Sequence, residues 1–381
     1  MKLIADRYEN IKAGLMLDSD AVNRYGDLVD LSIGDTDFTT DERIIDAAMR
    51  DARAGHTRYG FPQGDPELID AIRTAWREDF GQEIPHDNVF ITASSCLGMA
   101  EVLMTMLNPG DEVIVLGPYF AIYREQIQLA GGVCVEVPSY EEEGYALVKE
   151  RLLNALSPRT RAVILNNPCN PTGMAYSRAD LNVLSAVAQE RDLVLIADEI
   201  YTKYVFEGEF IPLRTLPGLE GRVITLNSFS KNFMMTGWRV GCVIAPAAFC
   251  RALQQLNGSM IYTAPSVSQR AAIEALRLRE DVARRYITRY RDRLLYAADR
   301  VERIPWMTLS RPKGTFYLFP GITKTGLDSA GFCKAALEQA HVLMSPGSAF
   351  GKSGAGHVRI AVTQPMEKLQ AAFDRLEAMR L

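Results

Sequence analysis

Residues 227–241, NSFSKNFMMTGWRVG, place Lys231 beside Ser228 and Ser230, with Arg239 a short way on. A lysine ε-amine forms imines with carbonyl carbons once partly deprotonated, and burial or a nearby cation lowers its pKa. Hydroxyls, a guanidinium and the free N–H groups of a helix start suit a phosphate group. Elsewhere a carboxylate and a phenol, Asp198 and Tyr201, stand close together in ADEIY, and Asn170 lies in NNPCNPTG at 166–173. A carboxylate facing a pyridine nitrogen keeps that nitrogen protonated, so the ring can withdraw electrons from a carbanion. As purely structural residues, the lysine stretch is a surface loop running into a strand, and Asn, Pro and Gly are turn formers. That explanation accounts less well for an acid, a lysine and a phenol in separate segments.

Short apolar, β-branched runs position these groups: 89–92 (VFIT), 113–116 (VIVL), 133–137 (VCVEV), 162–165 (AVIL), 193–197 (LVLIA), 223–226 (VITL) and 240–244 (VGCVI). Runs this short and apolar suit strands buried on both faces. Helical patterns separate most of them, at 97–106 and at 178–190, the latter opened by Ser177 as N-cap. Alternating strand and helix predicts an α/β domain with a mostly parallel seven-stranded sheet. Ligands in such sheets sit beyond the carboxyl ends of the strands. Those ends carry GPYF at 117–120, NNPCNPTG, Asp198 with Tyr201, the serine–lysine stretch, and ASSCLG at 93–98.

From about residue 266 the pattern changes to one long charged helical stretch, 266–303, followed by TFYLF at 315–319, a helix near 329–340, VLMSP, HVRIAV at 357–362 and a final helix. The expected division is a large domain over 41–265 and a smaller α+β domain from 1–40 with 266–381, since domains need not be continuous in sequence.

A chain of 381 residues with 48% apolar and 23% charged residues is in the range of soluble globular proteins, and its length exceeds one ordinary domain. A net charge of −5 argues against nucleic acid or an anionic membrane as main partner. The first residues lack a signal-peptide core and no apolar run is of bilayer length, so a cytoplasmic location is expected. Six scattered cysteines and four isolated histidines suggest neither a zinc site nor a disulfide framework. No strand leads into GxGxxG, which disfavours a nicotinamide dehydrogenase.

Taken in order, SFSKNFMMTGWRVG, NNPCNPTG, ADEIY and HVRIAV resemble the class I/II aminotransferases of pyridoxal-phosphate (PLP) fold type I, and the likeness runs from SIGDTDF at 32–38 to HVRIAV. The resemblance implies a three-layer large domain, the PLP cofactor, and ping-pong transfer of an amino group between amino acids and 2-oxo acids. It implies that Lys231 binds the cofactor covalently and then shuttles the substrate proton, while Asp198 pairs with the pyridinium nitrogen. Tyr201 and Asn170 would bond the phenolic oxygen, and Phe120 would stack on the ring. Ser228, Ser230 and Arg239 would take the phosphate, with the backbone of Ser94, Ser95 and Cys96. Arg359 would clamp the substrate α-carboxylate in a bidentate pair that lysine could not copy; Gly34 would let the backbone approach that carboxylate, and Asn170 would border the substrate. Tyr59, in RYGFPQG, would reach the phosphate of a neighbouring subunit, which implies a homodimer with shared sites.

Two departures bear on the substrate. Some aspartate-specific relatives carry a lysine where this chain has Cys96, and others use an arginine of the second subunit near 257–266; this chain has no basic residue at either place. Burying an unpaired side-chain carboxylate is costly. A neutral, aromatic or broadly tolerated donor is therefore expected, with aspartate as an alternative should Arg24, Arg43 or Arg58 move into the site. A same-fold β-lyase acting on cysteine conjugates is the other alternative, because it would use the same cofactor residues. Phe120 also replaces the tryptophan often found in relatives; it can stack but offers no ring N–H.

Overall fold

The structure, a computed structural model, describes residues 3–4 and 24–380. The part of the 1–40 expectation that falls on 1–2 and 5–23 lies outside the described residues. β1 (Val29–Asp30) is followed by helices α1 (Glu42–Arg53) and α2 (Pro66–Phe80). A seven-stranded sheet comes next: β2 (Val89–Thr92), β3 (Glu112–Gly117), β4 (Val133–Pro138), β5 (Thr160–Asn166), β6 (Val194–Asp198), β7 (Val223–Ser228) and β8 (Gly241–Ile244). Its order is β2-β8-β7-β6-β5-β3-β4. Only β8 runs antiparallel to its neighbours, β2 and β7; the β7-β6-β5-β3-β4 pairs are all parallel. All seven runs are strands, and their ends move by only a residue or two.

The connecting helices are α3 (Ser95–Met106), α4 (Ile122–Leu129), α5 (Lys149–Ala155), α6 (Arg178–Glu190), the short α7 (Phe229–Asn232) and α8 (Ala247–Met260). They cover both faces of the sheet. On β5, Ala162 and Ile164 join a core with Val102, Leu103, Tyr123, Ile127 and Leu253 of α3, α4 and α8. The intervening Val163 and Leu165 face the opposite core, with Leu181, Leu184 and Val187 of α6. This period-two division is why the strands read as unbroken apolar runs. Each buried Val, Leu or Ile contributes about 1.5–3 kcal/mol by leaving water. Ser177 caps α6 in a reciprocal box with Asp180, as its position predicts.

The charged stretch from 266 is not one helix. It divides into α9 (Ser266–Arg277), a turn at Arg279–Val282, a π-helical turn at Ala283–Ile287 and α10 (Thr288–Arg303). The wider π turn re-phases the helix, so Val282, Tyr286, Ile287, Tyr290 and Leu294 share one core while Arg279 reaches Glu78 and Asp79. β9 (Tyr317–Leu318), α11 (Ser329–Ala340), β10 (Val342–Leu343), β11 (Ser345–Pro346), β12 (Val358–Ala361) and α12 (Met366–Glu377) complete the chain. β11-β12-β9 is an antiparallel sheet, and β10 pairs in parallel with β1. Through that pairing the segment after β1 is held beside β12, and the two together form one wall of a cleft.

Among the described residues no helix is long and apolar enough to cross a membrane, and no cluster of His, Cys, Asp and Glu could hold a metal ion.

Candidate active site

A cleft of about 690 Å³ lies at the carboxyl ends of β5, β6 and β7, closed on the far side by Ser32–Asp35 and Arg359. That size suits a cofactor-binding pocket. Of the site residues that the resemblance implies, all but Tyr59 line it.

Lys231 lies in α7, a single turn that begins where β7 ends, so the strand delivers its side chain into the cleft. Ser228 caps this turn by accepting the Ser230 N–H at 3.1 Å. Lys231 Nζ donates to the Gly34 carbonyl at 2.5 Å. Burial lowers the Lys231 pKa to about 8; Asp35 opposes the shift, and Arg359 and Arg239 reinforce it. The lysine therefore has the partly neutral amine that imine chemistry needs.

Asp198 ends β6 and is buried. Its Oδ2 accepts a hydrogen bond from Tyr123, and its Oδ1 has no partner. Burial raises its pKa to about 6, with the Tyr123 bond acting against the rise. Asn166, at the end of β5, donates to the Asp198 carbonyl at 2.9 Å and accepts the Asn170 N–H at 2.7 Å, tying the two strand ends together.

Arg359 on β12 is buried. It donates to the Ser32 carbonyl, to Asn170 Oδ1 at 3.1 Å and to Ser345 Oγ at 3.3 Å, and its Nε is unpartnered. The Tyr317 and Phe350 rings flank the guanidinium, each with its centroid 4.7 Å away. The bond from Arg359 orients the Asn170 amide by its Oδ1 and leaves its NH₂ group as a donor. Tyr201 donates to the Tyr317 hydroxyl at 3.3 Å.

The opposite end of the cleft has the features of an anion site. Ser94 caps α3, its Oγ accepting from the Leu97 N–H, and it does so with φ +96 and ψ 151. A non-glycine residue in that region carries strain that the surrounding structure must hold. The helix start leaves its first N–H groups without intrahelical partners. Gly241 supports the turn from below: a Cβ there would lie 2.8 Å from the Ser95 nitrogen and 2.8 Å from the Asn227 carbonyl. Arg239 reaches the same cleft from a left-handed residue, φ 52, and is steadied by the Thr236 carbonyl at 2.8 Å.

Gly34 has a further structural reason besides backbone approach to a ligand. A Cβ on it would overlap the Tyr317 hydroxyl. Tyr59 is 82% exposed, lies in a separate groove and packs edge-on against Tyr262, so its own chain does not bring it to the cleft. Sequence reasoning missed Tyr123, Tyr317 and Asn166. Asn166 stands in NNPCNPTG among turn-forming residues, and only its place at a strand end marks it.

The profile described as "Aminotransferase class I and II" matches residues 26–376. The chain belongs to the class I and II aminotransferases. It is 36% identical to the arginine–pyruvate transaminase of Pseudomonas aeruginosa, over 91% of this chain and 88% of that one. It is 34% identical to an aspartate aminotransferase of Pyrococcus horikoshii, over 92% and 90%. The crystal structure of an aromatic aminotransferase from Pyrococcus horikoshii OT3 superposes with a TM-score of 0.90 at 34% identity, covering 94% and 97% of the two chains. This aminotransferase uses pyridoxal 5′-phosphate and moves amino groups between amino acids and 2-oxo acids. The cleft fits the cofactor: a buried carboxylate with one orphaned oxygen suits a ring N–H, a depressed lysine suits the aldehyde, and the strained helix start beside Arg239 suits the phosphate.

Proposed function

We propose that this aminotransferase takes neutral or aromatic amino donors in preference to dicarboxylic ones. The observation that carries the reading is the set of cations in the cleft. Among the described residues these are Lys231, Arg239 and Arg359. Arg239 is committed to the phosphate end and Arg359 to the substrate α-carboxylate, which leaves no cation for a second carboxylate. Arg43 is held by Asp41 at 2.9 Å and Asp281 at 2.7 Å, and neither Arg24 nor Arg58 lines the cleft. Cys96 is uncharged, and Ile33, Phe120, Ile122 and Ile200 give the cleft apolar walls.

In this reading Lys231 would hold the cofactor and would take the proton from the substrate α-carbon. Its lowered pKa makes it a base near neutral pH. Bound PLP supplies the electron sink that makes that proton removable. Asp198 would present Oδ1 to the ring nitrogen, Asn170 and Tyr201 would bond the phenolic oxygen, and Phe120 would pack on the ring. Ser94, Ser95, Cys96, Ser228, Ser230 and Arg239 hold the phosphate. Arg359 orients the substrate, with Gly34 and Asn170 beside it. Tyr59 serves the partner's phosphate in a cytoplasmic homodimer, and the exposed Phe61, Ile261 and Tyr262 around it supply apolar area for that contact. The domain division at 41–265 belongs to the same reading.

A donor panel against 2-oxoglutarate, pyruvate and oxaloacetate tests the specificity. Phenylalanine, tyrosine or leucine should exceed aspartate at least tenfold in kcat/KM, since an unpaired buried charge costs roughly that much or more. Aspartate as the best donor would overturn the reading.

A further inference from the structure

Tyr123 takes no part in the roles given above, yet among the described residues it donates the one side-chain hydrogen bond to the Asp198 carboxylate. It sits in the first turn of α4, just past the end of β3, and is 2% exposed. Its ring packs edge-on against Phe120, with centroids 5.6 Å apart and planes at 86°. The hydroxyl donates to Oδ2, while Oδ1 remains buried and unpartnered in the cleft. Asn166 holds only the Asp198 backbone. The rotation of the carboxylate about its last bond is therefore set by Tyr123.

We propose that Tyr123 is a positioning residue for Asp198: it occupies one carboxylate oxygen and so dedicates the other, Oδ1, to the ring nitrogen of the cofactor. The inference rests on the assignment of Asp198 to that nitrogen. Two features support it. Burial and the neighbouring Asp198 charge push the phenol pKa well above its ordinary value, so Tyr123 stays a donor throughout the working pH range. A hydrogen bond to the ionised carboxylate also favours the charged form that pairs with a protonated ring, against the burial that raises Asp198. Tyr123 thus fixes both the direction and the charge of a group that it touches through Oδ2 alone. Phe120 and Tyr123, three residues apart on one turn, would support the ring from its face and its nitrogen edge together.

The test is a double-mutant cycle on the full-length protein with Tyr123→Phe, Asp198→Asn and both together. It reads the dissociation constant of pyridoxal 5′-phosphate and the pH titration of the bound cofactor's absorbance. Tyr123→Phe keeps the ring in the core and should weaken cofactor retention roughly ten- to a hundredfold, the worth of one hydrogen bond to a charged group. It should also move the acid limb of the titration to higher pH. Asp198→Asn should weaken retention at least as much, and adding Tyr123→Phe to it should cost nothing further. An additive cycle, or an unmoved titration in Tyr123→Phe, would show a merely structural tyrosine and overturn the proposal while leaving Asp198 in place. If Asp198→Asn itself leaves retention and spectrum unchanged, the assignment of Asp198 fails, and the proposal with it.

Discussion

Arg359 is held on several sides: a backbone carbonyl, a serine hydroxyl, an asparagine amide and two aromatic faces. Burial pulls its pKa below the ordinary guanidinium value, with the Tyr317 and Tyr201 phenols opposing; arginine nevertheless stays charged, which lysine in the same place need not. Its orphaned Nε leaves it short of one partner. Arg359→Lys should therefore lower kcat/KM by roughly ten- to a hundredfold for every amino donor alike, the cost of losing a bidentate charged pair. Steady-state kinetics on donors of unlike side chains would check this. A loss confined to one donor would remove Arg359 from the shared carboxylate and make it a side-chain reader.

The elements put chemistry at strand ends, and that placement is legible in the sequence. Strands buried on both faces read as short continuous apolar runs, so Asp198, Asn170 and the Ser228–Lys231 turn stand at or just past the ends of β6, β5 and β7. The helical region after 266 was less legible. A π turn has no compositional mark, and the charged surface of α10 hides the buried face that carries Tyr290 and Leu294. Tyr123 and Tyr317 were illegible for a related reason: each sits among ordinary amphipathic or β-like residues, and its meaning comes from a partner 75 or 116 positions away. Gly34 gains part of its meaning from the same long-range packing. Gly34→Ala should displace Tyr317, and with it the ring beside Arg359 and the Tyr201 bond. We expect a rise in KM for amino acid together with a lowered thermal midpoint, by about 1–3 kcal/mol of overpacking, measured by kinetics and calorimetry on one preparation. Unchanged values of both would mean that the 32–35 segment shifts freely and does not frame the site.

At the scale of the whole molecule, the cleft of one chain contains every proposed site residue except Tyr59. If Tyr59 completes a partner's phosphate site, activity must be recoverable by mixing defects. Chains carrying Lys231→Ala and chains carrying Tyr59→Ala, each impaired alone, should on co-refolding yield hybrids with one intact site per dimer. The expected turnover approaches half the native value per hybrid. Turnover no higher than the sum of the two parents would place Tyr59 in its own subunit or outside the reaction.

The supports of the cleft also bear on how such an enzyme could change over evolutionary time. The groups that handle the α-carboxylate and the proton, Arg359, Asn170 and Lys231, are cross-braced by strand ends and by each other's carbonyls and amides. Ile33, by contrast, is 41% exposed on a connecting segment, and Ile122 lies at the start of a short helix. A substitution at the braced groups disturbs several partners at once, while one at the rim disturbs few. Selection for a new nutrient or biosynthetic need can therefore act on the rim residues while the chemistry beneath is inherited intact.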